Sequence, residues 1–359
     1  MKKSNRKNER MDKPNTTVGL DLGDRYSTYC TLNADGEEFD RGRIATTEVA
    51  LRHRFEGKEA CRVVMECGTH SPWVSRLLKR LGHQVIVANS RKLEAITKNE
   101  SKNDDNDAEG LAHLGHCDPF LLSPIRHRSV ERQQDLGLLR ARDTLVRART
   151  MIVNSVRGLV KSAGGRLPKC STESFAEKVK DSIPAALREL TIPLLEQIQQ
   201  LSKQIKGLEQ KIEHLDQRYP EIKLLRTAPG VGPIVAAAYA LTLDGPGTLD
   251  KSRQAGAFLG LRPRQGQSGS SNPQLRISKT GNQYLRRLLV QSAQRILGRF
   301  GTDSRLRRWG LMLAGSGGKR GKKRAVVAVA RKLAVVLHSM WRHGSPFRAF
   351  PELAKARTT

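Results

Sequence analysis

An aspartate stands inside an apolar strand pattern near the start of the chain, in the run TVGLDLG from Thr17 to Gly23. Burying a carboxylate between Leu20 and Leu22 is costly unless hydrogen bonds or a bound cation compensate it. The surrounding pattern narrows the fold further. STYCTLN alternates like a second strand, and Asn33–Glu37 carries the Asp35-Gly36 signal of a hairpin turn. EEFDRGRIATT can return as a third strand, and CRVVMECG, from Cys61 to Gly68, reads as a buried strand with Glu66 near its end. SPWVSRLLKRLG is a helix opened by Ser71-Pro72 and stopped by Gly82, HQVIVAN is the next strand, and DAEGLAHLGHC is a helix. Three strands with a hairpin, followed by strands alternating with helices, predict a mixed α/β domain of about 110 residues. Its expected span is 17–125, after a disordered basic tail at 1–16.

The remaining pattern is helical. A basic helical stretch runs from Ser129 to Gly164. Leu194, Ile198, Leu201, Ile205, Leu208, Ile212 and Leu215 then recur at alternating spacings of four and three. That spacing predicts a coiled coil, antiparallel or between subunits, rather than one amphipathic helix lying on its own domain. Tyr219-Pro220 closes it. In LLRTAPGVGPIVAAAYAL two helices flank a Pro-Gly-Val-Gly turn, a helix-hairpin-helix pattern that serves either phosphate contact or an ordinary turn between helices. A helical linker and coiled coil are expected over 126–220, a mainly helical domain over 221–345, and a tail over 346–359.

Charge bounds the partners. The chain of 359 residues has 64 Lys and Arg against 35 Asp and Glu, a net +29. From Lys251 to Pro351 there are 22 basic residues and one acid, Asp303, so this stretch carries +21. Such a balance favours a polyanion. Aromatic content of 4% excludes base stacking as the main means of recognition. The five cysteines form no CxxC pair and no zinc spacing, so they read as reduced, packed thiols. MKKSNRKNERMDKPN lacks the apolar core of a signal peptide, and no apolar run is long enough to span a bilayer. A cytoplasmic, nucleoid-associated protein without membrane contact is expected.

Asp21 gains meaning beside Glu66 and KNDDNDAEGL, from Lys102 to Leu111. Asp104 and Asp107 are three apart and share one face of a helix, although acids at a helix N-terminus also favour the dipole. A strand Asp before a hairpin, a Glu closing a later strand and a pair of helix Asps make a ribonuclease-H-like layout. Carboxylates gathered at one edge stay ionised only with divalent cations between them, and an all-oxygen set fits Mg²⁺ or Mn²⁺.

On these motifs the chain resembles the DEDD transposases of insertion-sequence family one-ten, described as bridge-RNA-guided recombinases. GLDLGDRYS is similar to their first acidic motif, VVMECGTHSPWV to their second and KNDDNDAEGLAHL to their K-T-D-x-x-D-A motif, with Asn103 where the family has Thr. The resemblance spans roughly Thr17 to His343 and includes RARTMIVNSVRGLVKSAGG. It implies a RuvC-like nuclease domain of ribonuclease-H fold with a metal-binding catalytic set of Asp21, Glu66, Asp104 and Asp107. It also implies a C-terminal transposase domain, matched by GLRPRQGQSGSSNPQLRISKTGNQYLRRLLVQ, in which Ser268 before Gly269 is the nucleophile.

Without the resemblance QSGSSN is a flexible loop in which Ser270 and Ser271 are equal contenders. Arg262, Arg264, Arg276, Lys279, Arg286 and Arg287 are candidate phosphate contacts or stabilisers of transition-state charge. GGKRGKKR reads as a basic loop whose Lys319, Arg320, Lys322, Lys323 and Arg324 grip nucleic acid without base specificity. Trp73, Trp309 and Trp341 read as core anchors.

The function expected is a transposase that cuts and rejoins DNA. The resemblance adds donor and target DNA, a structured non-coding guide RNA and a dimer or tetramer joined through the coiled coil. The rival readings are a hydrolytic junction-resolving nuclease of the same fold, in which Ser268 is structural, and a non-catalytic nucleic-acid-binding regulator.

Overall fold

A computed structural model describes residues 15–90, 104–273, 275–315 and 317–351. The expected tails at 1–16 and 346–359 fall largely outside these residues, as do Lys102 and Asn103. The chain forms two compact units, one ending at His127 and one beginning at Arg128.

In the first unit, β1 (Thr17–Asp21), β2 (Tyr26–Leu32), β3 (Glu38–Ala45), β4 (Arg62–Glu66) and β5 (Gln84–Ala88) form one sheet in the order β3-β2-β1-β4-β5. β1, β2 and β3 pair antiparallel, whereas β1, β4 and β5 run parallel. The predicted hairpin forms because Asn33 accepts the N–H groups of Asp35 and Glu37 at 3.0 and 2.9 Å. Gly36 takes the left-handed backbone that the turn requires, at φ +87°.

One sheet face packs on α1 (Glu48–Phe55) and α2 (Ser71–Arg80), with Leu20, Val63 and Met65 buried against Leu51, Leu77 and Leu78. α1 was not anticipated from the sequence. Its apolar residues do not form a clean stripe, yet the Thr47 side chain caps it by accepting the Ala50 N–H at 3.3 Å. The other face carries α3 (Asp104–Cys117). Ala108 and Ala112 lie against Cys30 and Leu32, and Leu111 against Val64 and Ile86.

The second unit is helical. Ser129 caps the 33-residue α4 (Val130–Ser162), and α5 (Phe175–Val179) precedes α6 (Arg188–Glu213). α4 and α6 run antiparallel. Val156 and Val160 meet Leu195 and Ile198 at one end, Arg149 donates to Ser202 Oγ at 3.1 Å in the middle, and Leu139 meets Ile212 at the other end. The heptad face is therefore closed within a single chain. This is the antiparallel alternative of the expected coil, with Leu194 and Leu208 left partly buried; the spacing recognises an apolar seam but does not say which helix fills it.

Short helices α7 (Leu215–Arg218) and α8 (Glu221–Arg226) lead into α9 (Pro233–Leu243), which is buried almost all round. α10 (Ala255–Phe258), α11 (Gln283–Leu297), α12 (Arg305–Gly315) and α13 (Gly318–His343) complete the core. The Tyr239 hydroxyl donates to the Ala334 carbonyl at 2.6 Å, tying α9 to α13. Trp73 packs partly buried in the first unit, and Trp309 and Trp341 in the second.

In the Pro-Gly-Val-Gly turn between α8 and α9, Gly230 has φ +73° and a Cβ there would sit 2.9 Å from the Ser292 carbonyl. This glycine serves close packing on α11. No helix among the described residues is long and apolar enough to cross a membrane.

Candidate active site

β1 and β4 lie side by side and parallel, with Leu20 opposite Met65. Asp21 and Glu66 are the next residues on each strand, so both close their strands at the same sheet edge. Alternation along the strands puts them on the Gly19 and Val64 face, opposite to the Leu20 and Met65 face. Both are half-buried. Here the topology also reverses, since β1 leads on to β2 on one side while β4 leads to β5 on the other. Ligands of open α/β sheets bind beyond the carboxyl ends of strands at such a switch point.

α3 brings in the remaining acids. A Cβ on Gly19 would lie 2.0 Å from the Ala108 carbonyl oxygen and 2.5 Å from the Ala112 nitrogen, so the helix backbone rests directly on the strand. Farther along, Arg62 at the start of β4 donates to the Gly115 carbonyl at 2.8 Å, and the His116 ring stands beside Gly36 in the hairpin turn. α3 thus runs antiparallel to β1, and its N-terminus lies at the strand ends that carry Asp21 and Glu66. Asp104 is its first residue. Asp107, half-buried, follows one turn before Leu111 on the sheet-facing side, and Asp105 is exposed.

All four predicted acids therefore belong to three element ends at one edge. Among the described residues, no three His, Cys, Asp or Glu side chains are grouped closely enough to hold a metal ion. All four side chains end in carboxylate oxygens, a donor type that suits Mg²⁺ or Mn²⁺.

Ser268 lies in the second unit, in a hairpin arm that stands apart from any sheet. Arg264 N–H donates to the Arg276 carbonyl at 2.9 Å and Ser278 N–H to the Arg262 carbonyl at 2.8 Å. At the tip Ser268 and Ser271 exchange both backbone hydrogen bonds, at 3.1 and 3.0 Å. Gly269, at φ +55°, takes the first turn position, as two-residue hairpins prefer. QSGSSN thus forms an exposed two-residue turn.

The predicted basic residues divide. Arg262, Arg264, Arg276 and Lys279 are exposed on the arm. Arg286 instead holds the arm's base, donating to the Leu259 and Thr280 carbonyls at 2.9 Å each. Arg287 forms an ion pair with Asp143, which also pairs with Arg147. Burial alone would raise the Asp143 carboxyl, but the Arg287 and Arg147 guanidiniums outweigh it and hold it below the usual range. These two arginines are engaged in the fold.

GGKRGKKR is not a loop, because α13 begins at Gly318. Lys and Arg are good helix formers, and the buried stripe of Ala325, Val329, Leu333 and Leu337 propagates the helix back through them. Lys319, Arg320, Lys322, Lys323 and Arg324 are all exposed on its first two turns.

A cleft of about 450 Å³ flanks the arm, lined by Arg262, Arg264, Gln265, Asn272 and Arg331 among others, and Ser268 is not in its wall. Arg331, which interrupts the apolar run AVVAVARKLAVVL, adds a further cation to this cleft.

All five thiols are free, and burial pushes Cys30 up to about 12 and Cys61 up to about 11. The expected packing holds for these two, whereas Cys67 and Cys117 are exposed.

An α/β unit with an acidic strand edge, joined in one chain to a strongly basic helical unit, defines a protein that handles nucleic-acid backbones. Residues 18–164 match the DEDD_Tnp_IS110 transposase family, and residues 222–308 match the transposase IS116/IS110/IS902 family. A probable family 20 transposase of Pseudomonas aeruginosa is 31% identical over 333 residues, covering 90% of this chain and 96% of the relative. The transposase for insertion sequence element IS1111A of Coxiella burnetii is 25% identical, over 96% of this chain and 94% of its own length. A pilin gene-inverting protein of Moraxella bovis is 26% identical over 92% of this chain and 97% of that protein. The chain belongs to the IS110/IS116 family of insertion-sequence transposases.

Proposed function

We propose that this transposase cuts DNA at the edge formed by Asp21, Glu66, Asp104 and Asp107, and that Ser268 carries the broken strand until it is rejoined. One observation supports the first part above all: Asp21 and Glu66 end neighbouring parallel strands on the face over which α3 delivers its acidic first turn. The first unit is then of the ribonuclease-H, RuvC-like type. Carboxylates sharing an edge repel one another, and divalent charge between them removes that repulsion. Mg²⁺ or Mn²⁺ held by these four residues would supply Lewis-acid polarisation of the scissile phosphate and neutralise its developing charge.

The second part rests on the family resemblance at Ser268 and on the exposed place of its hydroxyl in a basic arm. In that step the Ser268 oxygen bonds to phosphorus and gives up its proton. The bond from phosphorus to one sugar oxygen breaks, and that oxygen leaves as the free strand end. The phosphoserine ester conserves the energy needed for rejoining. Arg262, Arg264, Arg276 and Lys279 supply positive charge along the arm, and the exposed cations of α13 hold the backbone without reading sequence. The resemblance extends the proposal to a structured guide RNA and to a dimer or tetramer.

The test is to trap a covalent protein–DNA adduct on DNA spanning the end of the encoding element, and to map the adduct by mass spectrometry. A phosphoserine at Ser268 is expected. Loss of the adduct in Ser268→Ala and in Asp21→Asn, with DNA binding retained in both, supports the proposal. Continued cutting by Ser268→Ala means a hydrolytic nuclease instead, and cutting by Asp21→Asn removes the carboxylate site.

A further inference from the structure

The loops that leave the acidic edge carry a pair of side chains that the carboxylate chemistry does not use. Asp24 lies three residues beyond Asp21, and His70 four beyond Glu66. The two loops meet there, with His70 Nε2 3.4 Å from Asp24 Oδ1. The loop around His70 is firmly built. Gly68 N–H donates to Ser71 Oγ at 3.0 Å, and that hydroxyl lies 2.9 Å from the Gly68 carbonyl.

The ring itself is oriented by Trp73. The indole N–H of Trp73 donates to His70 Nδ1 at 3.1 Å, with the two rings nearly perpendicular at 83°. An indole can only donate, so Nδ1 must accept. The proton of the neutral imidazole is thereby fixed on Nε2, the nitrogen turned toward the other loop.

Asp24 is a displaceable acceptor. Its side chain is 94% exposed, whereas that of His70 is 27% exposed. A carboxylate that is already solvated loses little when its one long hydrogen bond is exchanged for water. A phosphate oxygen is the same kind of anionic acceptor, and it would take the same N–H.

We propose that His70 is a catalytic residue that donates a hydrogen bond from Nε2 to a non-bridging oxygen of the DNA phosphate at or next to the cut. This rests on the proposal that DNA is cut at the carboxylate edge. His70 then supplies what four carboxylates cannot: a fixed N–H donor at an acidic site. Asp24 holds the donor until the phosphate arrives. Because the proton position is set by Trp73 rather than by solvent, no reorganisation is needed when charge develops on the phosphate.

The experiment uses full-length protein, Mg²⁺ and synthetic duplexes that span the junction of the encoding element with its flanking DNA. His70→Ala is expected to cut about ten- to a hundredfold more slowly, the effect of removing one donor to a charged group. Its unfolding midpoint should match that of the parent chain. Neutral methylphosphonates are then placed one at a time around the cut. At one position, in the diastereomer whose methyl group replaces the accepting oxygen, the parent and His70→Ala should cut at equal rates. A loss that is the same at every position marks a merely structural residue and overturns the proposal, as does undiminished cutting by His70→Ala.

If His70→Ala does not fold, His70→Gln and His70→Asn decide. Gln places an amide N–H near the Nε2 position and Asn near Nδ1, so only Gln should keep activity, within about fivefold of the parent. Equal activity of the two overturns the proposal. Asp21→Asn is run beside them. If it cuts normally the carboxylate edge itself is not the cutting site, whereas a dead Asp21→Asn with an unaffected His70→Ala overturns the His70 proposal alone.

Discussion

Gly19 is the position where a single methyl group tests the acidic edge. A Cβ there would lie 2.0 Å from the Ala108 carbonyl oxygen, against the 3.4 Å at which ordinary contact begins. The neighbour is helix backbone, not a flexible side-chain end, so it cannot swing aside. Either α3 lifts by the difference, 3.4 less 2.0 or about 1.4 Å, or β1 bends by as much. Overpacking of this kind costs roughly 1–3 kcal/mol. The displacement matters more than the energy, because α3 carries Asp104 and Asp107 while β1 carries Asp21. A misplacement of about 1 Å at a reacting centre costs on the order of a hundredfold in rate. Gly19→Ala should therefore remain folded, lose a few degrees of unfolding midpoint and cut about a hundredfold more slowly. Its affinity for DNA through the basic unit should be unchanged. The assays are thermal unfolding, a filter-binding titration and strand cutting on the same preparation. Parent-like cutting by a stably folded Gly19→Ala would refute the claim that α3 and β1 together set the site.

Three further outcomes follow from particular side chains. Arg287→Ala should destabilise the second unit by about 1–2 kcal/mol, discounted from a fully buried pair because Arg287 is itself 41% exposed; chemical denaturation measures it. The Asp143 carboxyl is held low in the folded chain, so its stabilisation is complete above its unfolded value and disappears as pH falls through the folded one. An acid-unfolding series should thus show the gap between Arg287→Ala and the parent closing at low pH. Replacing Lys319, Arg320, Lys322, Lys323 and Arg324 by Gln should weaken binding of unrelated duplexes uniformly. The slope of log affinity against log salt should then fall by up to about 4.5, at roughly 0.9 for each phosphate that the variant no longer neutralises.

The sheet was legible because period-two alternation, an Asp-Gly turn and short apolar strands leave few other arrangements. Asp21 stood out as a carboxylate in an apolar strand pattern, although it closes β1 half-buried rather than lying in its interior. α1 was not, since helix formation there depends on a Thr47 cap and on burial of Leu51 and Phe55, which no stripe announces. The glycines of GGKRGKKR suggest a loop, but helix propagates into them from the packed stripe downstream. Heptad spacing reported the burial of Ile198, Leu201, Ile205 and Ile212 correctly. It carries no information on whose helix covers them. Arg286 and Arg287 are adjacent and chemically identical to the cations of the arm. Only the fold separates a guanidinium bound to carbonyls, or to Asp143, from one left to solvent.

The arm that bears Ser268 behaves as a cantilever. A two-stranded ribbon has little stiffness of its own, and a fully extended run from Leu261 to Ser268 would reach roughly 25 Å at about 3.3 Å per residue. Its anchorage is compact: Gly260 and Gly281 admit no side chain, with neighbouring backbone oxygens at 2.0 and 2.1 Å from where a Cβ would stand. Arg286 grips the carbonyls of Leu259 and Thr280 beside them. Angular play at that root is multiplied by the length, so that about 10° becomes about 4 Å at the tip, taking the ribbon as an extended strand. The aim of the hydroxyl is thus governed from the far end, by two glycines and one guanidinium.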